Sequence, residues 1–273
     1  MQFSIITINY NNKIGLENTI SSVKSQSFTN FEHVIIDGNS TDGSKDVIES
    51  HIASFGYYIS EPDTGVYNAM NKGIRASKGT YLLFLNSGDT LISRSVLEEV
   101  SEKINNNLDI YYGNLVYKSN QEDKTHTFPK ELTFSFFYKK SLPHPATFIK
   151  KSLFDTVFYY NENFKIISDW EFFICAICKF NATYEYLNMV ISNFQTDGLS
   201  NSIENLEQIN NERTISVKAN FPLFISDYNE LSETKNTLAS KRFKMLHSLE
   251  HSKIARKLNT IWLRFICKLV KTK

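Results

Sequence analysis

Tyr81 to Leu85 is a short, unbroken apolar run that stops at Asn86-Ser87-Gly88-Asp89, and it constrains the fold more than any other stretch. Alternation would mark a strand wetted on one face, whereas an unbroken run marks one buried on both, with helices above and below the sheet. The residues ahead of it supply one such helix, because Val66, Ala69, Met70, Gly73 and Ile74 recur at helical spacing. In open α/β sheets ligands bind beyond the carboxyl ends of the strands, where loops face a crevice that the sheet cannot fill. The stretch Ser60 to Asp89 therefore delivers Asp89, the acid at its tip, as the first candidate site residue.

The same alternation runs upstream. Phe3 to Ile8 reads as a central strand, followed by the polar loop Asn9 to Asn12 and a helix that turns Leu16, Ile20 and Val23 to the sheet. Phe31 to Ile36 reads as a second strand running into Asp37-Gly-Asn-Ser-Thr-Asp-Gly-Ser44, where Asp42 or Ser44 can cap a helix carrying Val47, Ile48 and Ile52. With Tyr57 to Ser60 as a third strand, the order predicts an α/β fold with a mostly parallel central sheet and right-handed crossovers. Two strand ends then carry acids, Asp37 and Asp89.

Downstream, Leu97, Val100 and Ile104 mark another helix, and Ile110–Tyr112 and Leu115–Tyr117 read as two strands joined through Gly113 and Asn114. Ser168 is read as the cap of a helix whose apolar face is Trp170, Phe173, Ile174 and Ile177, with Glu171 pointing away around it. Tyr184 to Asn193 reads as strands and Asp197 to Ser200 as a closing turn. The expected organisation is a domain over 1–200, divided near 110, and a helical region over 201–273 with breaks at Pro222 and Asp227.

With 41% hydrophobic residues in 273, the chain can build a sizeable core. No run approaches the roughly 18 apolar residues of a membrane span, and the start MQFSIITINYNN lacks the regions of a signal peptide, so a cytoplasmic protein is expected. The three cysteines are read as core residues, since Cys175 and Cys178 have no second pair to complete a zinc site. Charge is unevenly spread: Lys241 to Lys273 holds ten Lys or Arg against Glu250 alone, leaving the first 240 residues at a net −8.

Three pieces, SIITINYNN, VIIDGNSTDGS and GVYNAMNKGIRASKGTYLLFLNSGD, with IISDWEFF further on, together resemble glycosyltransferase family 2 in order and spacing. The likeness covers about Phe3 to Ser200 and is closest to the branch that builds bacterial surface polysaccharides, including colanic-acid-type and O-antigen enzymes. It implies the GT-A fold, with a nucleotide-sugar-binding half over 1–110 and an acceptor-side half over 111–200. It also implies an inverting transfer from a nucleoside-diphosphate sugar, most simply a UDP-sugar, onto a lipid-linked glycan. No nucleic-acid partner is implied.

By the same resemblance, Ile8, Asn9, Tyr10 and Asp37 match positions that hold the donor's uracil and ribose, and Asp63 is a further nucleotide contact; read without the resemblance, Asp37 could serve only to stabilise its turn. Asn86, Ser87, Gly88 and Asp89 stand where the family has its DXD motif, whose carboxylates bind Mn²⁺ or Mg²⁺ against the donor diphosphate. Here the first acid is replaced by Asn86 and the middle one by Gly88, so Asp89 remains the charged ligand. Asp169 matches the catalytic base. His144 could contact the diphosphate, ligate the metal, line the acceptor site or be structural, and Trp170 could stack on an acceptor sugar or belong to the core.

Two readings compete with this one. A nucleotidyltransferase is disfavoured because Asn9 to Asn12 stands where a Gly-rich phosphate loop would follow the first strand, and a non-catalytic binding module is disfavoured by Asp169. In the tail, Leu258, Ile261, Trp262, Phe265, Leu269 and Val270 are spaced mainly by three or four with basic residues between them. Such a helix can lie peripherally on an anionic membrane surface, or pack on protein.

Overall fold

The computed structural model describes residues 1–118, 122–195 and 205–271. The turn read at Asp197 to Ser200 lies outside them. The chain runs β1 (Phe3–Asn9), α1 (Lys13–Lys24), β2 (Phe31–Asp37), α2 (Ser44–Ser50), β3 (Tyr57–Ser60), α3 (Val66–Ala76), β4 (Tyr81–Phe84) and β5 (Thr90–Leu91). It continues through α4 (Val96–Lys103), β6 (Ile110–Lys118), β7 (Lys124–His126), α5 (Phe134–Lys139), β8 (Thr147–Lys150), α6 (Leu153–Thr156), α7 (Ser168–Cys178) and β9 (Tyr184–Gln195). Four helices follow: α8 (Leu206–Asn220), α9 (Pro222–Ala239), α10 (Lys241–Glu250) and α11 (Lys253–Lys271). Met1–Ser216 and Val217–Lys273 form two compact units, so the boundary falls inside α8.

The strands form one sheet in the order β3-β2-β1-β4-β8-β6-β9-β5, with β7 paired to β6. β3, β2, β1 and β4 are mutually parallel, and their register sets Asn9 opposite Asp37 and Asp37 opposite Ser60. β1 and β4 are buried along their whole length, as unbroken apolar runs require. α3 lies close upon β1: a side chain at Gly73 would come within 2.5 Å of Ile6. The buried face of α3 also differs from the one read in the sequence, since Tyr67 and Asn71 join Ala69, Met70, Gly73 and Ile74 while Val66 is half-buried.

Several elements depart from the expectation. Ile110 to Lys118 is one strand, and Gly113 lets β9 approach it: a Cβ there would meet Ile191 and the Met189 carbonyl at 2.7 Å. The register against β9 shifts at this point, so the residue pair that reads as a turn is an irregularity inside a ladder. β9 is likewise one strand. Ser168 is the first residue of α7, Ile167 precedes it as the cap position, and the Ser168 hydroxyl accepts from the Asn161 N–H instead. Glu171 is buried rather than wet. Pro222 opens α9 as a break should, but Asp227 lies within that helix. Cys175 is buried and Cys178 half-buried, while Cys267 is exposed.

Candidate active site

The loops beyond β1 and β2 are sewn together by short polar side chains. Asn12 caps α1 through the Gly15 N–H (3.0 Å), the Asn11 N–H donates to Ser40 Oγ (2.8 Å), and the Thr41 N–H donates to Asn11 Oδ1 (2.8 Å). Asp37 sits at the centre. Its Oδ1 accepts from Asn9 Nδ2 (2.7 Å) and the Ser40 hydroxyl (2.6 Å), and its Oδ2 from the Ser40 N–H (3.0 Å) and the Ser60 hydroxyl (2.6 Å). Burial alone would raise this carboxyl, and the bonds from Ser40, Ser60 and Asn9 overcome it, holding the group below its ordinary value.

This geometry corrects the direct nucleoside role expected of Asp37. The side chain is fully buried and each carboxylate oxygen already takes two donors, so it organises the strand ends and has no acceptor capacity left for a base or a ribose. Asn9 gives its amide N–H to Asp37, and the Ile8 carbonyl receives both the N–H and the hydroxyl of Ser87, at 3.2 and 3.1 Å. What faces outward here is the Tyr10 ring, 71% exposed. A Cβ at Gly38 would lie 3.1 Å from that ring and 3.2 Å from Asp63 Oδ2, so the three positions border one another. Asp63 is fixed by Lys72, whose Nζ is 2.5 Å from its carboxylate and 2.8 Å from Glu61.

At the end of β4 the chain closes a tight turn, with the Asp89 N–H bonded to the Asn86 carbonyl (2.9 Å) and Gly88 at φ +109°, a conformation that favours glycine. Thr19 of α1 anchors this turn, accepting from the Gly88 N–H (3.0 Å) and donating to the Asp89 carbonyl (2.7 Å). The Asp89 side chain is buried and accepts from the Gln195 N–H at 3.1 Å. Burial pushes its carboxyl up to about 7, against that one bond. Asn86 Oδ1 in the same turn is buried without a hydrogen-bond partner.

Those two oxygen donors suit a hard divalent cation, which takes carboxylate and amide oxygens and completes its shell with phosphate and water. Among the described residues no group of three His, Cys, Asp or Glu forms a metal cluster. His144 lies in the turn His144–Ala146 ahead of β8, where Nε2 is 2.8 Å from the Tyr160 hydroxyl and the ring stacks on Phe84 at 5.0 Å. Its Nδ1 faces Asp169 Oδ2 at 3.9 Å, and burial lowers its pKa against the attraction of Asp169, favouring the neutral ring. The structure thus places His144 beside Asp169.

Asp169 stands in the first turn of α7 with its side chain 24% exposed. Tyr67 of α3 reaches it: the phenol oxygen is 2.8 Å from Asp169 Oδ1 and 2.6 Å from the Ile166 carbonyl. α3 grips the preceding loop as well, since Asn71 bonds both backbone groups of Tyr160 (2.8 and 3.0 Å), and Asn68 and Asn71 each donate to Glu162 at 2.8 Å. From the other side Glu212 of α8 accepts the N–H groups of Lys165 (3.0 Å) and Ile166 (3.1 Å). Arg213 lies over the Trp170 ring at 5.0 Å, and its pKa is lowered by burial against the pull of Asp169.

Trp170 is corrected by the same contacts. It is 2% exposed and donates its indole N–H to the Phe137 carbonyl at 2.5 Å, so it joins α7 to α5 and offers no face to a sugar. Tyr67, Glu212 and Arg213 were not singled out from the sequence. Tyr67 carries a signal, being at i, i+4 and i+7 with Asn71 and Ile74, but a polar-tipped aromatic on a core face reads as packing. Glu212 and Arg213 carry none, because the loop and the ring they hold are more than forty residues away.

A mixed sheet, parallel from β3 to β4 and antiparallel where β8 joins β4 and β6, with organised strand ends, a carboxylate turn after β4 and a second carboxylate on α7, makes this a GT-A-like α/β fold, the architecture of sugar-transferring enzymes. The family model described as "Glycosyl transferase family 2" matches residues 4–166, and the chain belongs to that family. It is 30% identical over 211 residues to a Mycobacterium bovis "PGL/p-HBAD biosynthesis glycosyltransferase", covering 75% of this chain and 81% of the relative. It is 27% identical over 138 residues, 50% of this chain and 54% of the relative, to Escherichia coli "UDP-Glc:alpha-D-GlcNAc-diphosphoundecaprenol beta-1,3-glucosyltransferase WfgD". Among solved structures, S. aureus TarS 1-349 in complex with UDP-GlcNAc superposes with a TM-score of 0.64 at 19% identity, covering 81% of this chain and 68% of that one. A longer TarS structure is spanned over 40% of its length. The protein is a glycosyltransferase.

Proposed function

We propose that this enzyme moves a sugar, with inversion, from a UDP-sugar to a hydroxyl of a lipid-linked glycan at the cytoplasmic face of a membrane, in surface polysaccharide synthesis. The observation that carries the reading is Asp169, a partly exposed carboxylate held from two sides by the Tyr67 phenol and the neutral ring of His144. The donor and acceptor classes draw support from the relative whose name gives UDP-Glc and a diphosphoundecaprenol-linked sugar.

In the transfer, the acceptor oxygen attacks the anomeric carbon, the bond from that carbon to the diphosphate oxygen breaks, and Asp169 takes the acceptor proton. The nucleoside diphosphate departs with the bonding pair. Tyr10 offers its exposed ring to the uracil, with Asp63 beside it as acceptor for a base N–H or ribose hydroxyl. Asp89 and Asn86 Oδ1 would hold Mn²⁺ or Mg²⁺, which when bound offsets charge on the leaving diphosphate. Asp37 acts at one remove by keeping the loops of β1 and β2 in register.

A screen of nucleotide sugars for metal-dependent binding and hydrolysis identifies the donor. With that donor, Asp169→Asn should keep binding within about twofold and lower transfer by roughly 10²–10⁴-fold. Near-wild-type turnover in this variant would remove Asp169 as the base.

A further inference from the structure

We propose that α11 is an interfacial helix that docks the enzyme on an anionic lipid bilayer. Ile254, Leu258, Ile261, Trp262, Phe265 and Ile266 fall at i, i+4, i+7, i+8, i+11 and i+12, which lines them along one face of the helix. All six are exposed, from 44% at Ile266 to 75% at Ile254, a row of large apolar side chains standing in water. Lys253, Arg256, Lys257, Arg264 and Lys268 occupy the remainder of the circumference, and no acid lies anywhere between Lys253 and Lys271.

The helix is 19 residues long, yet among the described residues none is long and apolar enough to cross a membrane. A cationic helix with Trp, Phe and Leu on a single face and charge on the other lies in the plane of the interface, its apolar side among the acyl chains and its cations at the headgroups. Charge selects the occupant. The first 240 residues carry a net −8 and are repelled by anionic headgroups, whereas the tail carries ten of the chain's 30 basic residues. A second copy meeting α11 face to face would bring like charge to like charge.

The inference extends the reading of a lipid-linked acceptor, but its test uses neither donor nor acceptor, so each can fail alone. Full-length protein is sedimented with phosphatidylcholine vesicles with and without phosphatidylglycerol. Binding should require phosphatidylglycerol and weaken with salt. Trp262 emission should shift to the blue on binding, because Trp170 is already 2% exposed and cannot contribute such a change. Leu258→Asp with Phe265→Asp should abolish sedimentation, and Lys257→Glu and Arg264→Glu should each lower it at least about fivefold. Unchanged far-ultraviolet circular dichroism and urea midpoints in these variants report an intact catalytic body. Equal sedimentation of wild type and variants overturns the proposal. So does a wild-type dimer in analytical ultracentrifugation that Leu258→Asp dissociates, since the apolar face would then belong to a protein contact.

Discussion

The carboxyl ends of β2 and β4 flank the same strand, β1, and each delivers an aspartate, but the two carboxylates live under opposite conditions. Asp37 gathers hydroxyls and N–H groups from β1, its own turn and β3, and its pKa falls. Asp89 is buried with, among the described residues, a single backbone N–H on its carboxylate, next to an amide oxygen that has no partner among them, and its pKa climbs to about 7. One carboxylate has its donors in place, although Asn9 Oδ1 beside it is buried without a partner among the described residues, and the other is short of positive charge. Both side chains are shut off from solvent, but desolvation weighs more heavily on Asp89, and the loops around Asp37 also deliver more donors.

The largest effect that would break this contrast is on stability. Asp37→Ala leaves two hydroxyls, a backbone N–H and an amide N–H without their acceptor, and should cost about 3 kcal/mol in urea denaturation. Asp89→Ala should cost far less and instead weaken Mn²⁺-dependent donor binding in calorimetry. Equal stability losses would dissolve the distinction between a structural and a ligand-directed acid.

A smaller effect sharpens it through pH. The folded pKa of Asp37 lies below its unfolded value, so its contribution is present above about pH 4 and is lost as pH falls through the folded value. Asp89 has the opposite sign. Its folded pKa is raised, so in chelator its contribution is full below about pH 4 and is lost as pH rises toward about 7. Urea midpoints of Asp89→Asn in chelator should therefore fall less over that window than those of wild type, and parallel curves would refute the assignment.

The smallest effect concerns the second carboxylate site. Tyr67→Phe removes the phenol that bridges α3 to Asp169 and should leave donor KM nearly unchanged while lowering kcat about tenfold. A positioning role also predicts a displaced pH profile of kcat, which a purely structural loss would not produce. An unchanged profile would reduce Tyr67 to a packing residue.

These contrasts also mark what could be read in advance. The parallel strands, their acids and the helix carrying Asp169 follow from runs and spacings within a dozen residues, and the sheet and the family membership bear out that part. The saturation of Asp37 was not legible, because Ser60 reaches it from a strand 23 residues away and only the register of β2 with β3 brings the hydroxyl in. Trp170 shows the same limit. Its helical spacing was visible, but whether it faced solvent depended on Phe137, 33 residues earlier, in a region whose order had no periodic signal. Gly113 misled for a related reason: a glycine that serves a close approach between strands is indistinguishable, in sequence, from one that makes a turn.

The phenol of Tyr67 has one hydrogen and two acceptors, Asp169 Oδ1 at 2.8 Å and the Ile166 carbonyl at 2.6 Å. With Asp169 ionised, that hydrogen serves the carboxylate. In the proposed transfer, where Asp169 takes the acceptor proton, the phenol can rotate its hydrogen to Ile166 and receive the new one on its oxygen. The same three heavy atoms thus accommodate both the empty and the loaded carboxyl by the swing of a single O–H bond, and the loop clamped by Asn71 and Glu212 need not shift between one turnover and the next.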